Sequence, residues 1–271
     1  MLFIVSMTMR DKPVIAIGWD VRGWRGGDQA VAILSFGAGS SAPEWLGISE
    51  RFQFVPGEPL SLQSLVGQVP GESLSALDLA GAAVVVGIDA PLAFPARFVS
   101  LLKSENQSAY CPPGREIDNV FAYRDCERWI LEKHAKKPVS ATYDKLGNNA
   151  TQAMCLAQAL GEEGFRVVPQ ETSVSELAVI EVYPGITKRG KKKSDRAIAP
   201  VECHLPDNLV PGTDPYDAAI CAILAAVFAG KGGELGLPGL VDLQPGYDAA
   251  EGWVYGLPAE YVRAHSGIKG T

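Results

Sequence analysis

The segment Ala82–Asp89, which reads AAVVVGID, carries the clearest strand pattern in the chain. It is a short apolar run rich in β-branched residues, it ends in a carboxylate, and prolines after it prevent further regular pairing. Such a run is typical of a strand buried on both faces. A second run, Val14–Asp20 (VIAIGWD), ends in the same way. We therefore expect two central strands that carry Asp20 and Asp89 at their carboxyl ends.

The residues around these two runs complete the pattern of an α/β protein. The glycine-rich segment Val21–Asp28 (VRGWRGGD) predicts a turn, and Gln29–Phe36 predicts a strand that forms a hairpin with the first. Further apolar runs predict more strands, and apolar side chains at helical spacing predict helices. The other predicted strands are Phe52–Val55 and Leu177–Tyr183, and the predicted helices are Ala96–Lys103, Ile117–Lys136, Gln152–Glu163 and Asp217–Phe228, with loose helical periodicity over Leu60–Leu79 and a polar loop over 104–115. This pattern predicts one mixed α/β domain.

Composition and charge exclude several classes of protein. With 47% hydrophobic and 20% charged residues, the 271-residue chain is not expected to be disordered. The excess of 31 Asp and Glu over 24 Lys and Arg, a net charge of −7, argues against tight non-specific binding of nucleic acid. The longest largely apolar run without a charge is Ala218–Gly230, whereas a membrane-spanning helix needs about 20 residues. Scattered cysteines without a C-x-x-C pair favour a reducing compartment, so we expect a soluble, cytoplasmic protein with no membrane partner.

Four aspartates form the strongest candidate site. Asp20 and Asp89 follow neighbouring strands, and ligands of open α/β sheets bind outside the carboxyl ends of the strands. Asp214 and Asp217 lie three residues apart at the start of a helix, so they project from the same side. Together these carboxylates can hold one or two Mg²⁺ or Mn²⁺ ions, as in two-metal phosphodiester hydrolysis.

Each of these acids also has a simpler interpretation. Asp214 precedes a proline and can cap the helix, and Asp217 can complement the helix dipole. Asp20 and Asp89 can each serve a turn. Glu181 lies inside an apolar strand, where an unpaired charge is costly, so it is either paired with an arginine or a further metal ligand.

The order of these features resembles the ribonuclease H-like superfamily. The resemblance rests on IAIGWD (Ile15–Asp20), VVVGID (Val84–Asp89) and DPYDAAICA (Asp214–Ala222), the last being similar to the metal-binding helix of Holliday-junction resolvases. It implies a mixed central sheet flanked by helices. It also implies that Asp20, Asp89 and Asp217, with Asp214 as a further candidate, bind magnesium.

Five further segments are GIDAPLAFP (Gly87–Pro95), YRDCER (Tyr123–Arg128), IEVYPGIT (Ile180–Thr187), PYDAAICA (Pro215–Ala222) and EGWVYGLP (Glu251–Pro258). In these segments the chain more closely resembles an uncharacterised bacterial family of predicted nucleases with an RNase H-like fold. The resemblance implies one such domain over residues 10–260, with a helical and loop insertion at about 96–170. The chain departs from that family in a long polar insertion before Tyr123 and in the hairpin sequence GWRGGD.

Basic residues supply candidates for substrate binding. Arg124 can hold a phosphate through its guanidinium fork, although a charge network on a helix surface explains it equally simply. The basic run Lys188–Arg196, which begins with Lys188 and Arg189, can steer a polyanion toward the acids. The alternative is a solvated loop.

Three functions compete at this point. The leading hypothesis is a metal-dependent nuclease or phosphodiesterase that acts through Asp20, Asp89 and Asp217 without a covalent enzyme intermediate. The second is an ATP-using phosphotransferase of the actin and sugar-kinase group. The glycines of the predicted turn favour it, because the first hairpin of that group binds phosphate through Asp and Gly residues. Asp89-Ala-Pro lacks the glycine-rich second phosphate loop of that group. The third is a non-catalytic metal- or nucleic-acid-binding module, although converging carboxylates repel each other without a metal.

Overall fold

A central β-sheet organises the part of the chain that the computed structural model describes, residues 12–38, 42–71, 79, 81–105, 111–171 and 175–267. Its strands lie in the order β3-β2-β1-β4-β6, and β5 and β7 pair with successive parts of the far edge of β6. The first three strands are antiparallel, whereas β4 to β7 run parallel to β1. The strands are β1 (Val14–Asp20), β2 (Ala30–Phe36), β3 (Glu44–Ile48), β4 (Ala83–Asp89), β5 (Arg166–Val168), β6 (Leu177–Val182) and β7 (Val254–Tyr255).

Helices cover both faces of the sheet. Alternate residues of β1 and β4 face α6 on one side and face α1 and α4 on the other, which divides the core into two layers. The sheet is therefore mixed, flanked by helices, and of the α/β class, with a strand order consistent with the RNase H-like topology. The helices are α1 (Leu62–Val66), α2 (Ala96–Leu102), α3 (Asp125–His134), α4 (Asp144–Glu162), α5 (Ala199–Glu202), α6 (Asp214–Ala226) and α7 (Ala259–His265).

Close contact between α6 and the sheet depends on glycine in the two central strands. A Cβ on Gly18 of β1 would lie 2.1 Å from the carbonyl oxygen of Ala218, and one on Gly87 of β4 would lie 2.8 Å from that of Cys221. Both distances are shorter than van der Waals contact, so no side chain fits there. The helix therefore lies directly on the strands, and its first turn reaches the strand ends that carry Asp20 and Asp89.

The sequence located most elements but misplaced one strand. The predicted strand at Phe52–Val55 is wrong, because the third strand is β3 and Phe52 makes only an isolated bridge with Gln29. The alternating Phe52 and Phe54 suggested a strand because both side chains turn inward. Their rings pack edge to face, and Phe54 also packs against Trp19.

Several helix boundaries also differ from the prediction. The last core helix begins at Asp214 rather than Asp217, with Pro215 in its first turn. The helix expected over Ile117–Lys136 is split into a short 3₁₀ turn, Glu116–Asp118, and α3. The periodic stretch 60–79 contains α1, and its residues 72–78 lie outside the described part, as do residues 106–110 of the predicted loop. No helix in the described ranges is long and apolar enough to cross a bilayer.

Candidate active site

A cleft of about 640 Å³ opens at the carboxyl ends of β1 and β4. Three aspartates, Asp20, Asp89 and Asp217, lie along its wall. Among the described residues, seven cationic side chains line the same cleft, although the whole chain is acidic. They are Arg22, Lys136, Lys137, Lys188, Lys191, Lys192 and Lys193. In the residues that the structure describes, the cleft thus combines three acidic side chains with seven basic ones.

The sheet register brings the first two aspartates together. Asp20 and Asp89 are direct partners in the parallel pair β1–β4, so their side chains project from the same face. Asp217 lies in the first turn of α6, which packs on that face. All three residues therefore line the same cleft.

Burial and mutual repulsion raise the pKa of all three carboxyl groups. Asp20 has its pKa raised well above the ordinary value, first by loss of hydration and then by the negative charge of Asp89. Asp89 is partly exposed to solvent. Burial of its carboxyl group and the negative charge of Asp217 raise the pKa of Asp89 to about 8. Burial also raises the pKa of Asp217, against the opposing influence of Lys188. The cluster therefore holds protons or attracts cations.

Lys188 is the cation closest to this cluster. Its Nζ lies 2.7 Å from Oδ1 of Asp217, and the residue is only 4% exposed. The same ammonium donates a hydrogen bond to the carbonyl oxygen of Lys193 at 2.8 Å. The structure thus places the predicted substrate-binding residue Lys188 inside the site, where it neutralises one of the acids.

Two further groups that the sequence did not single out line the cleft beside Lys188. Lys136 donates hydrogen bonds to the carbonyl oxygens of Gly185 and Lys188, and burial together with the nearby charge of Lys188 lowers its pKa to about 8. Burial and the charge of Asp89 raise the pKa of Tyr183 to about 12. Lys136 had no recognisable signal because it follows α3, far along the chain from the acids. Tyr183 directly follows β6, so its place at a strand end was a usable signal.

Asp214 differs from the three clustered acids in its contacts, although it is one helical turn from Asp217. Its carboxylate is almost fully buried and contacts three cations, the guanidinium groups of Arg22 and Arg51 and the ammonium of Lys193. The Nε atom of Arg22 lies 2.9 Å from Oδ1, that of Arg51 lies 3.1 Å from Oδ2, and Nζ of Lys193 lies 2.9 Å from Oδ1. Both carboxylate oxygens of Asp214 are thus engaged in ion pairs.

Glu181 and Arg124 form a buried ion pair instead of facing the cleft. Glu181 pairs in register with Ile88, one residue before Asp89, so side-chain alternation directs it to the other face of the sheet. Both of its carboxylate oxygens accept hydrogen bonds from Arg124, at 2.6 and 2.8 Å. Of the two interpretations of Glu181 from sequence, the structure supports the arginine pair.

The phosphate-binding role predicted for Arg124 does not fit its position. Its guanidinium is completely buried and also bonds to Glu127 and to the carbonyl oxygen of Glu251. Such a side chain has no surface to offer a substrate. Arg189, the third predicted substrate-binding residue, is exposed on the basic loop, and its Nε donates a hydrogen bond to the carbonyl oxygen of Ala197.

The donor chemistry of the three clustered aspartates fits Mg²⁺ or Mn²⁺. Asp20 Oδ2 is buried and makes no hydrogen bond, and carboxylate oxygens are the ligands that these hard cations prefer. Within the described residues, however, no group of three or more His, Cys, Asp or Glu side chains is arranged to hold a metal ion. In this conformation Lys188 supplies the positive charge that Asp217 needs.

Comparisons with known proteins add no relative to this description. No protein-family model matches the chain, and searches of curated proteins and of solved structures found no match either.

Proposed function

We propose that the chain is a metal-dependent phosphodiesterase that cleaves nucleic acid, and that it belongs with the predicted nucleases of the RNase H-like superfamily that its motifs resemble. The observation that carries the proposal is the cleft itself. In the described part of the chain, three mutually repelling aspartates and seven cations line the same cleft, although the net charge of the chain is −7. Positive side chains around three aspartates suit the binding of a polyanion, because the aspartates can hold a divalent cation next to one of its phosphates.

The residues divide the work between cation and substrate. Asp20, Asp89 and Asp217 would hold Mg²⁺ or Mn²⁺, which supplies activation of water and stabilisation of the leaving oxygen. The lysines of the cleft would bind the phosphates on either side of the scissile bond. Lys188 would leave Asp217 when a divalent cation binds, and its ammonium would then face the substrate phosphate.

The test is hydrolysis of a panel of single- and double-stranded DNA, RNA, hybrid, branched junction and nucleoside triphosphates with Mg²⁺ or Mn²⁺. We expect cleavage of a polynucleotide by the parent and loss of cleavage in Asp89→Asn. Asp207→Asn is the matched control, because Asp207 is an exposed aspartate that does not line the cleft. Hydrolysis confined to triphosphates would contradict the proposal and favour a phosphotransferase. Cleavage that persists in Asp89→Asn would contradict the assigned site.

A second candidate function is a polyanion-binding module without turnover. The contact between Lys188 and Asp217 favours it, because a buried ammonium already neutralises one of the proposed metal ligands. The same panel separates the two functions when binding is measured beside cleavage. Retention of labelled polynucleotide in EDTA, with no cleavage in either metal, would support the binding module.

A further inference from the structure

Three cations converge on Asp214 from separate parts of the chain. Arg22 comes from the β1–β2 turn, Arg51 from the segment after β3, and Lys193 from the basic loop that follows β6. We call these three side chains, with the carboxylate they share, the Asp214 cation cluster. Within the cluster one negative charge faces three positive charges, and Asp20 beside Arg22 and Asp28 beside Arg51 offset part of this excess.

This excess charge is accessible to a ligand. The Asp214 side chain is 2% exposed, whereas the side chains of Arg22, Arg51 and Lys193 are 34%, 51% and 46% exposed. Arg51 also lies 3.5 Å from the exposed carboxylate of Asp28, which offsets part of the charge. Each guanidinium carries five N–H donors, so donors remain after the contacts with Asp214. The buried carboxylate therefore acts as an anchor that holds three donors in one patch.

The cluster adjoins the three clustered aspartates. Arg22 Nη2 lies 3.9 Å from Asp20 Oδ2, and both Arg22 and Lys193 line the cleft. A phosphate bound by the cluster would therefore lie next to a phosphate held at Asp20, Asp89 and Asp217. Guanidinium groups bind phosphate well because their N–H donors match its oxygens in pairs.

We propose that the Asp214 cation cluster is a binding site for a second phosphate of the substrate, adjacent to the phosphodiester at the three aspartates. The inference rests on the proposed function for the identity of the substrate, but not for the binding of phosphate. It defines the substrate class more narrowly, as a nucleic acid strand with a phosphate beside the scissile one. In this proposal Asp214 positions the side chains of Arg22, Arg51 and Lys193 for phosphate binding.

The test compares two probes that differ only in flanking phosphates. One is a labelled dinucleotide with a phosphate at both ends, and the other is the same dinucleotide without terminal phosphates. In EDTA, we expect the full chain to bind the phosphorylated probe about tenfold more tightly or better, as one good charge-assisted contact provides. This preference should fall by about threefold or more in Arg51→Gln and in Lys193→Gln.

Arg25→Gln is the matched control, since Arg25 is an exposed arginine of the same β1–β2 turn that does not line the cleft. It should keep the preference of the parent. Equal binding of the two probes by the parent would overturn the proposal. So would a preference that survives in both Arg51→Gln and Lys193→Gln, because other lysines of the cleft would then be its source. Thermal unfolding of each variant checks that the fold is kept, and if only one of the two variants folds, its result alone decides the comparison.

Hydrolysis of the two probes with Mg²⁺ separates this proposal from the proposed function. Preferential binding that depends on Arg51, without hydrolysis, would leave the phosphate site standing and refute the nuclease. Hydrolysis of both probes with equal kcat/KM, together with equal binding, would leave the nuclease standing and refute the phosphate site. Preference in both binding and kcat/KM, lost in both variants, is the expected result.

Discussion

Replacement of Asp89 by asparagine tests the electrostatics of the cleft without assuming any activity. Asp89 lies opposite Asp20 in the sheet, and burial with the charge of Asp217 raises its pKa to about 8. Because the folded-state pKa lies above that of the unfolded chain, the folded protein binds this proton more tightly. The stability contributed by the proton is complete below about pH 4 and is lost as the pH rises through about 8. Asparagine carries no charge and removes this loss.

The size of the effect follows from the difference between the two pKa values. A rise from 3.8 to about 8 corresponds to about 6 kcal/mol for an isolated group. The three carboxyl groups titrate as a set, so one substitution removes only a share of the repulsion. We expect Asp89→Asn to exceed the parent in free energy of unfolding by about 2 kcal/mol at pH 8.5 in EDTA. At pH 5 the advantage should shrink to about a third of that value, because the pH is then only about one unit above the pKa of the unfolded chain.

The measurement is urea unfolding of the parent, Asp89→Asn and the exposed control Asp207→Asn at pH 5 and pH 8.5 in EDTA. The parent and the control should lose stability relative to Asp89→Asn as the pH rises. If Asp89→Asn had the same stability difference from the parent at both pH values, the carboxylates would not repel each other as the geometry indicates. Destabilisation of Asp89→Asn at pH 8.5 would refute the reasoning outright.

Three further predictions concern metal binding and packing. At pH 8.5, Mn²⁺ at a hundredfold excess over its Kd should stabilise the parent by about 2.7 kcal/mol in a thermal melt, and Asp89→Asn by clearly less; an equal shift would place the metal elsewhere. Arg124→Met should cost about 3–5 kcal/mol in urea unfolding at pH 7, because it leaves Glu127 and Glu181 buried without their counter-charge; a cost below about 1 kcal/mol would contradict this. Gly18→Ala should cost about 2 kcal/mol or more through its clash with α6, whereas Gly161→Ala, on an open face of α4, should be neutral or stabilising.

The parts of the fold that sequence predicted well are those in which a local pattern has one cause. β1 and β4 are buried on both faces, so their sequences are continuous apolar runs, and the structure places them side by side. The third strand was misplaced because aromatic residues at Phe52 and Phe54 alternate as in a strand while their backbone makes only one bridge. β5 and β7 were missed because three and two residues carry no periodic signal.

The sequence identified the acidic residues of the candidate site, but it did not identify the cations that pair with them. Asp20 and Asp89 follow from the rule that strand ends carry ligands, and Asp217 from its place in the first turn of a core helix. The three-residue spacing of Asp214 and Asp217 could not show that one faces the cleft and the other an arginine pair. That difference depends on Arg22 and Arg51, which are distant in the chain and brought to Asp214 only by the folded structure.

Lys188 bears on both candidate functions, because a buried ammonium is costly unless an anion pairs with it. An ammonium that is 4% exposed requires a partner, and Asp217 requires a cation, so each stabilises the other while no metal is bound. Removing only one member of such a pair costs about 3–5 kcal/mol, which explains why a buried lysine stands beside a proposed metal ligand. A divalent cation at Asp217 offsets that cost only if the displaced ammonium finds a new anion. A substrate phosphate in the same cleft is such an anion, so metal and polyanion should bind cooperatively, and an isolated polyanion should leave Lys188 on Asp217.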